Sequence, residues 1–245
     1  MNEIIYESGD GIARIVLNRA EKRNAINEAM AIGLYEAWKR FQSSDDRVAV
    51  VIPAGDDFSV GADIKSRPQN FPLAIPGIGV DVTKPVVIAV DGWCTGGAMV
   101  MVQMADICVA TERAKFLYPE AKRGFTGGMI AGIANRIPHK IAMEMMLLGD
   151  EISARRAYEV GFVNKLVAPE ELNAVAMDYA RRLTRCAPLV VAQLKQMAAE
   201  LVPLGSAERG ARLRYALQAI RESDDAKEGV ASFIEKRMPV FTGKL

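Results

Sequence analysis

Short apolar runs, each about the length of one strand, constrain this chain more than any other feature. Ile12 to Leu17, Val48 to Ile52, Val86 to Val90 and Ile107 to Ala110 are nearly continuous in Ile, Val, Leu and Ala. A strand that buries one face alternates apolar and polar residues. Runs without that alternation suit strands buried on both faces, as in a parallel sheet covered by helices. Between the first two runs, Ile26, Met30, Leu34, Ala37, Trp38 and Phe41 recur at helical spacing, with Asn27 placed to act as N-cap. Strand, helix and strand in this order predict an α/β core. After Val90 the segment DGWCTGGAMVMVQMAD reads as a tight turn into a buried helix with a glycine-rich first turn, and Ile107 to Thr111 completes a second such unit.

The second half changes character. Pro169 opens a helix with Leu172, Val175, Tyr179 and Leu183 on one face, and Pro188 starts another that runs to about Leu201. A third begins near Ser206 with Leu213, Leu217 and Ile220 in line, and a fourth spans Asp225 to Arg237. The expected organisation is an α/β core over residues 1–190 and a helical segment over 191–245. Ser66 to Lys84, with several prolines and glycines, is the longest candidate loop; loops of that length commonly carry function.

Composition narrows the chemistry. The 31 Lys+Arg and 30 Asp+Glu residues leave no basic footprint for nucleic acid. His139 is the sole histidine, so a multi-histidine metal site is excluded and carboxylates or backbone groups become the candidates for catalysis. His139 itself sits at an expected helix start and reads as structural. Cys94, Cys108 and Cys186 read as buried thiols of a reducing compartment. An acidic N-terminus and the lack of a long apolar run predict a cytoplasmic protein without membrane contact.

Two loops share a design. FSVGADIK (Phe58 to Lys65) and DGWCTGGA (Asp91 to Ala98) each follow a buried strand and are rich in small residues. Such residues let a backbone approach a ligand closely, and N–H groups from the two loops could together form an oxyanion hole. Spacing alone favours the plainer reading that the glycines only permit tight strand-to-helix turns. Neither loop has a P-loop ending, and Gly77-Ile78-Gly79 lacks the third glycine of a dinucleotide fingerprint.

GADIK, KPVVIAVDGWCTGG, FLYPEAKRG and FIEKRMPVF, in this order and across essentially the whole chain, resemble the enoyl-CoA hydratase/isomerase (crotonase) superfamily. The resemblance implies a crotonase-like spiral of ββα units with a C-terminal helical trimerisation region, a homotrimer or dimer of trimers, and acyl-CoA thioester substrates. No separate cofactor and no metal are expected, CoA being part of the substrate. The resemblance assigns the N–H groups of Ala62 and Gly97 to the thioester oxygen. Lys22 and Arg23, and from a neighbouring subunit Phe233 and Lys236, are the expected contacts of the CoA nucleotide. Ala25, Asp63, Ile64, Trp93, Gly96 and Tyr118 complete the expected substrate-binding set.

The hydratases of this superfamily use two glutamates. The later one matches Glu120 in Tyr118-Pro119-Glu120, whereas the earlier position is Val100, which cannot carry a proton. Gly127, Gly128 and Met129 stand where some isomerases of the superfamily bring an extra acid, and none is acidic. A single shuttling carboxylate suits double-bond isomerisation, with Glu120 as catalytic base. Alternatives are an enoyl-CoA hydratase, another enolate reaction (thioester hydrolysis, decarboxylation or C–C cleavage), or a non-catalytic acyl-CoA-binding trimer. Asp106 and Glu112 read as strand-end residues. Met99, Met101, Met104, Met143, Met145 and Met146 read as core or as lining of an acyl pocket.

Overall fold

The computed structural model describes residues 2–243. The chain starts as a hairpin of β1 (Ile4–Gly9) and β2 (Ile12–Leu17), turned by Asp10 and Gly11, both at positive φ. α1 (Glu28–Ser43) follows and leads to β3 (Val48–Pro53). The Asn27 side chain accepts the Met30 N–H at 2.8 Å, as a cap should, and Met30, Leu34, Ala37, Trp38 and Phe41 are all buried. The expected helix face is therefore the observed one.

After β3, two successive circuits of the chain each lay one strand in each of two sheets before a helix. β4 (Val86–Val90), β5 (Trp93–Thr95) and α2 (Gly97–Met104) form one circuit; β6 (Ile107–Thr111), β7 (Lys115–Leu117) and α3 (Glu120–Arg123) form the next. α4 (His139–Leu148), β8 (Glu151–Ser153), α5 (Ala154–Glu159), β9 (Lys165–Val167) and α6 (Leu172–Thr184) close the spiral. The six-stranded sheet has the order β1-β2-β3-β4-β6-β9, parallel except at the β1 edge, and the small sheet has the order β5-β7-β8.

All four apolar runs are strands of the large sheet, and every residue of β4 is buried. Leu172, Ala176 and Ala180 of α6 cover one face against Val50, Val87 and Val109. The other face joins α1, α2 and the remainder of the core. The expected α/β class and ββα spiral are thus present. β1 gave no sequence signal because it is a largely exposed edge strand, and β5, β7, β8 and β9 are each too short to express a period.

α7 (Pro188–Leu201), α8 (Ser206–Glu222) and α9 (Asp224–Glu235) end the described chain. Residue 190 lies in the first turn of α7. α9 stops before Arg237, where it was expected to end, because Lys236 takes a left-handed conformation. Two further expectations are corrected. Ser66 to Lys84 is not structureless: it contains a 3₁₀ turn over Phe71–Ala74, buries Ala74, Ile75 and Ile78, and is fastened to α1 by Trp38 Nε1 donating to the Ala74 carbonyl at 3.0 Å. Cys186 is exposed, while Cys94 and Cys108 are buried.

α8 is fixed to the core by a buried polar cluster. Glu208 has no exposed surface; it accepts Gln103 Nε2 of α2 at 2.6 Å and lies 3.9 Å from Arg136 Nη1. That contact holds the small residues Ala207, Gly210 and Ala211, at helical spacing, against the end of the spiral where the two glycine-rich loops meet.

Candidate active site

The two loops are fastened edge to edge. Ser59 pairs with Cys94 as an isolated parallel bridge, the Ser59 N–H donating to the Trp93 carbonyl and the Thr95 N–H to the Ser59 carbonyl, both at 2.9 Å. On its other side the first loop pairs with Ile26: the Ile26 N–H donates to Gly61 O and the Asp63 N–H to Ile26 O, both at 2.8 Å. Gly61 lies at φ +83°, and a Cβ there would stand 2.6 Å from the Thr95 carbonyl oxygen and 3.5 Å from Gly97 N. Only glycine allows so close an approach.

These bonds occupy the neighbours of Ala62 and Gly97 but not their own amides. Among the described residues, neither the Ala62 N–H nor the Gly97 N–H has a protein acceptor. Gly97 opens α2, whose first N–H groups are necessarily free of intrahelical partners. Both residues line a cavity of about 660 Å³. Two unpaired donors on one cavity lining, one of them at a helix N-terminus, are the kind of arrangement that can receive a developing oxyanion.

Val100 and Glu120 line the same cavity, as does Tyr118. Glu120 begins α3, and its Oε2 accepts the Gly127 N–H at 3.0 Å. It makes no ion pair with Lys122, which pairs with Asp150 instead. Burial, and after it the nearby Glu120 carboxyl, push the Tyr118 phenol well above its ordinary range, so it stays protonated. Its hydroxyl also lies 3.2 Å from Thr126 Oγ1. Among the described residues, Glu120 is the single carboxylate on the cavity wall.

The remaining expected residues fall around this centre or away from it. Asp63 sits behind Ala62 and accepts Arg19 Nη1 at 2.7 Å and the Lys65 and Ser66 N–H groups, which together hold its carboxyl below the ordinary range. Ala25 is buried, with its carbonyl accepting Arg19 Nη1 at 2.8 Å. Gly96, at φ +57°, directs the chain from β5 into α2. Ile64 is 76% exposed. Trp93 lies at the start of β5 under the Lys115 ammonium, 5.1 Å from the ring centroid, and does not line the cavity. Lys22 is exposed; Arg23 pairs with Asp57 at 2.6 Å. Phe233, 85% exposed, and Lys236 lie on α9 and just after it, also off the cavity lining. Asp106 and Glu112 have structural partners, Asp106 accepting the Val86 N–H and Lys195 Nζ and Glu112 facing Arg155.

Sequence reasoning missed part of the wall. None of the six methionines singled out lines the cavity, whereas Met129 does. Arg67 and Phe71 come from the long candidate loop Ser66 to Lys84, where function was expected, whereas Phe125, after α3, and Arg214, on α8, carried no such signal. The small face Ala207, Gly210, Ala211 was legible as an i, i+3, i+4 pattern, although nothing local says what it faces. His139 opens α4, as expected. Among the described residues, no cluster of His, Cys, Asp or Glu is placed to hold a metal, and no helix is long and apolar enough to cross a membrane.

Comparison with known proteins places these features in context. A family model described as enoyl-CoA hydratase/isomerase matches residues 7–244. The (E)-benzylidenesuccinyl-CoA hydratase of Thauera aromatica is 31% identical over 98% of this chain and 99% of its own. The carnitinyl-CoA dehydratase of Salmonella typhi is 34% identical over the full length of both. Among solved structures, an enoyl-CoA hydratase from Mycobacterium tuberculosis superposes with a TM-score of 0.75 at 32% identity, and carnitinyl-CoA hydratase from Mycobacterium avium with 0.78 at 29%, each over 100% of both chains.

Proposed function

The chain belongs to the enoyl-CoA hydratase/isomerase family and is an acyl-CoA enzyme, and we propose that it shifts a carbon–carbon double bond within an acyl-CoA thioester, using Glu120 as its only proton carrier. One observation carries this reading: Val100, one turn into α2 from Gly97, stands on a cavity wall where Glu120 is the single carboxylate among the described residues.

In the proposed reaction the thioester oxygen sits between the Ala62 and Gly97 N–H groups. Glu120 takes the proton from the carbon next to the carbonyl of a 3-enoyl ester. The electron pair of that C–H bond enters a dienolate whose charge falls largely on the oxygen. Donors already in place stabilise this charge more than they stabilise the ground-state carbonyl, and so lower the barrier. The protonated Glu120 then delivers its proton to the far carbon of the original double bond, and the carbonyl re-forms. Atoms and charge balance without water, a second acid or a separate cofactor.

Hydration of a 2-enoyl ester is the second reading, favoured by the names of the relatives, which are hydratases and dehydratases. Glu120 would then have to activate water and also protonate the α-carbon. Incubation with 2-enoyl and 3-enoyl CoA esters in deuterated water separates the two. The expected result is interconversion of the esters with deuterium incorporation, both lost in Glu120→Gln. Accumulation of a 3-hydroxyacyl ester without interconversion would replace this reading with the second.

Association of copies as trimers or paired trimers is part of the proposal. Leu189 and Leu201 of α7 and Phe233 of α9 are each 85% exposed, apolar surface that a neighbouring copy would cover. In that assembly Phe233 and Lys236 would reach a neighbour's CoA, with Lys22 and Arg23 on the nucleotide.

A further inference from the structure

We propose that this enzyme selects acyl-CoA esters whose acyl group bears a second negative charge, a distal carboxylate, and that Arg67 and Arg214 are the residues that read it. This inference rests on the assignment of the cavity to the acyl group.

Both arginines line the cavity that holds Ala62, Gly97 and Glu120. They arrive from opposite parts of the chain, Arg67 from the segment after the first glycine-rich loop and Arg214 from α8. Neighbouring arginines have carboxylate partners: Arg212 pairs with Asp81 at 3.0 Å, and Arg136 lies 3.9 Å from Glu208. Among the described residues, Arg67 and Arg214 have no carboxylate partner and no hydrogen bond.

Arg67 is also held in position. Its guanidinium lies over the Phe125 ring, 5.0 Å from the centroid, which fixes the plane and leaves the edge N–H groups free to donate. The segment that carries it is tied down just beyond, where Glu28 accepts the Gln69 N–H at 2.6 Å and Asn70 Nδ2 at 3.0 Å. Arg214 follows Gly210 by one turn on α8, and both line the cavity.

Two cations face one carboxylate on this wall, an imbalance of one positive charge that a neutral acyl chain would leave uncompensated. A guanidinium presents paired N–H donors that match a carboxylate in a two-point contact. The same cations repel an acyl group carrying a quaternary ammonium. A CoA phosphate offers similar anionic oxygens, and the test separates the two sources.

The test measures affinity with saturated esters, which need no turnover. Calorimetry compares a saturated dicarboxylic acid mono-CoA ester, a neutral saturated acyl-CoA of the same length, and a quaternary-ammonium acyl-CoA. Wild type is expected to prefer the anionic ester. Arg214→Gln and Arg67→Gln should each lower the anionic-to-neutral affinity ratio by roughly 10-fold to 100-fold, as the loss of a charge-assisted hydrogen bond implies, and Arg214→Glu should invert the preference toward the cationic ester. Equal losses for anionic and neutral esters would assign the arginines to CoA phosphates and overturn the proposal, as would a wild type indifferent to acyl charge. Exchange of α-protons of the neutral ester into deuterated water, run alongside, tests the site assignment by itself. Exchange without charge selectivity would sink only this inference; its absence with every ester would sink the assignment beneath it.

Discussion

The Phe71 ring lies against Gly97 so closely that a Cβ on Gly97 would stand 2.0 Å from Phe71 Cζ and 2.3 Å from Cε1. Glycine at this position therefore serves a contact between a loop ring and the N-terminus of α2, and the ring borders one of the two free amides. Gly97→Ala forces either the ring or the amide to move. A misplacement of about 1 Å at a reacting centre can cost on the order of 10²-fold in rate, and a loss of that size in kcat/KM is expected. Phe71→Ala in the same chain should recover part of it; a double variant no better than Gly97→Ala would show that the ring is not the obstacle.

Glu120→Gln keeps the shape and the Gly127 contact but cannot take a proton. Turnover should fall by roughly 10²-fold to 10⁴-fold, the usual worth of a positioned general base, with ester affinity nearly kept. Unchanged turnover would remove Glu120 from the mechanism.

Val100→Glu places a second carboxylate on the cavity wall that holds Glu120. Adding water across a double bond wants one group for the water and one for carbon, so 3-hydroxyacyl-CoA formation from a 2-enoyl ester is expected to appear or rise while double-bond migration declines. A product distribution identical to wild type would mean that Val100 lies outside the reacting space.

Glu208 has no exposed surface and accepts Gln103 Nε2 across the α2–α8 contact. Glu208→Ala removes the carboxylate from this buried cluster and leaves Gln103 Nε2 only the Met129 carbonyl and Arg136 Nη1 only the Gly132 carbonyl, and a destabilisation of about 2 kcal/mol is expected from urea unfolding. A change below about 0.5 kcal/mol, the range of surface substitutions, would show that α8 is held by its apolar contacts alone.

The Arg19 hydrogen bond, aided by the Lys65 and Ser66 N–H groups, holds the Asp63 carboxyl below the ordinary 3.8. A lowered carboxylate stabilises the fold fully above that ordinary value, and the contribution disappears as pH falls through the lower folded value. Asp63→Asn should flatten the stability profile below about pH 4 and leave its shape near pH 7 unaltered. An acid limb as steep as that of wild type would assign the acid sensitivity to other carboxylates.

Much of the scaffold was legible because its causes are local. Val86 to Val90 is apolar throughout because both faces of β4 are covered, and Asn27 caps α1 through its own side chain three residues from its partner. The three-residue strands β5, β7 and β8 were invisible, since each exists only by pairing with segments distant in sequence. Leu213, Leu217 and Ile220 show the converse: they line up on α8 as a core face would, yet are 63%, 53% and 58% exposed within the chain. Periodicity reports an apolar face, not what covers it.

The sequence by itself determined the α/β core and the glycine loops, because strand burial and turn geometry are properties of a residue and its near neighbours, while the spiral and the meaning of Glu120 and Val100 came with the family resemblance. Only the tertiary structure decided that Ala62 and Gly97 line one cavity, that Phe71 packs on Gly97, and that Arg67 and Arg214 stand on the same wall without carboxylate partners among the described residues. Those residues come from separate turns of the spiral, and long-range packing alone brings them together.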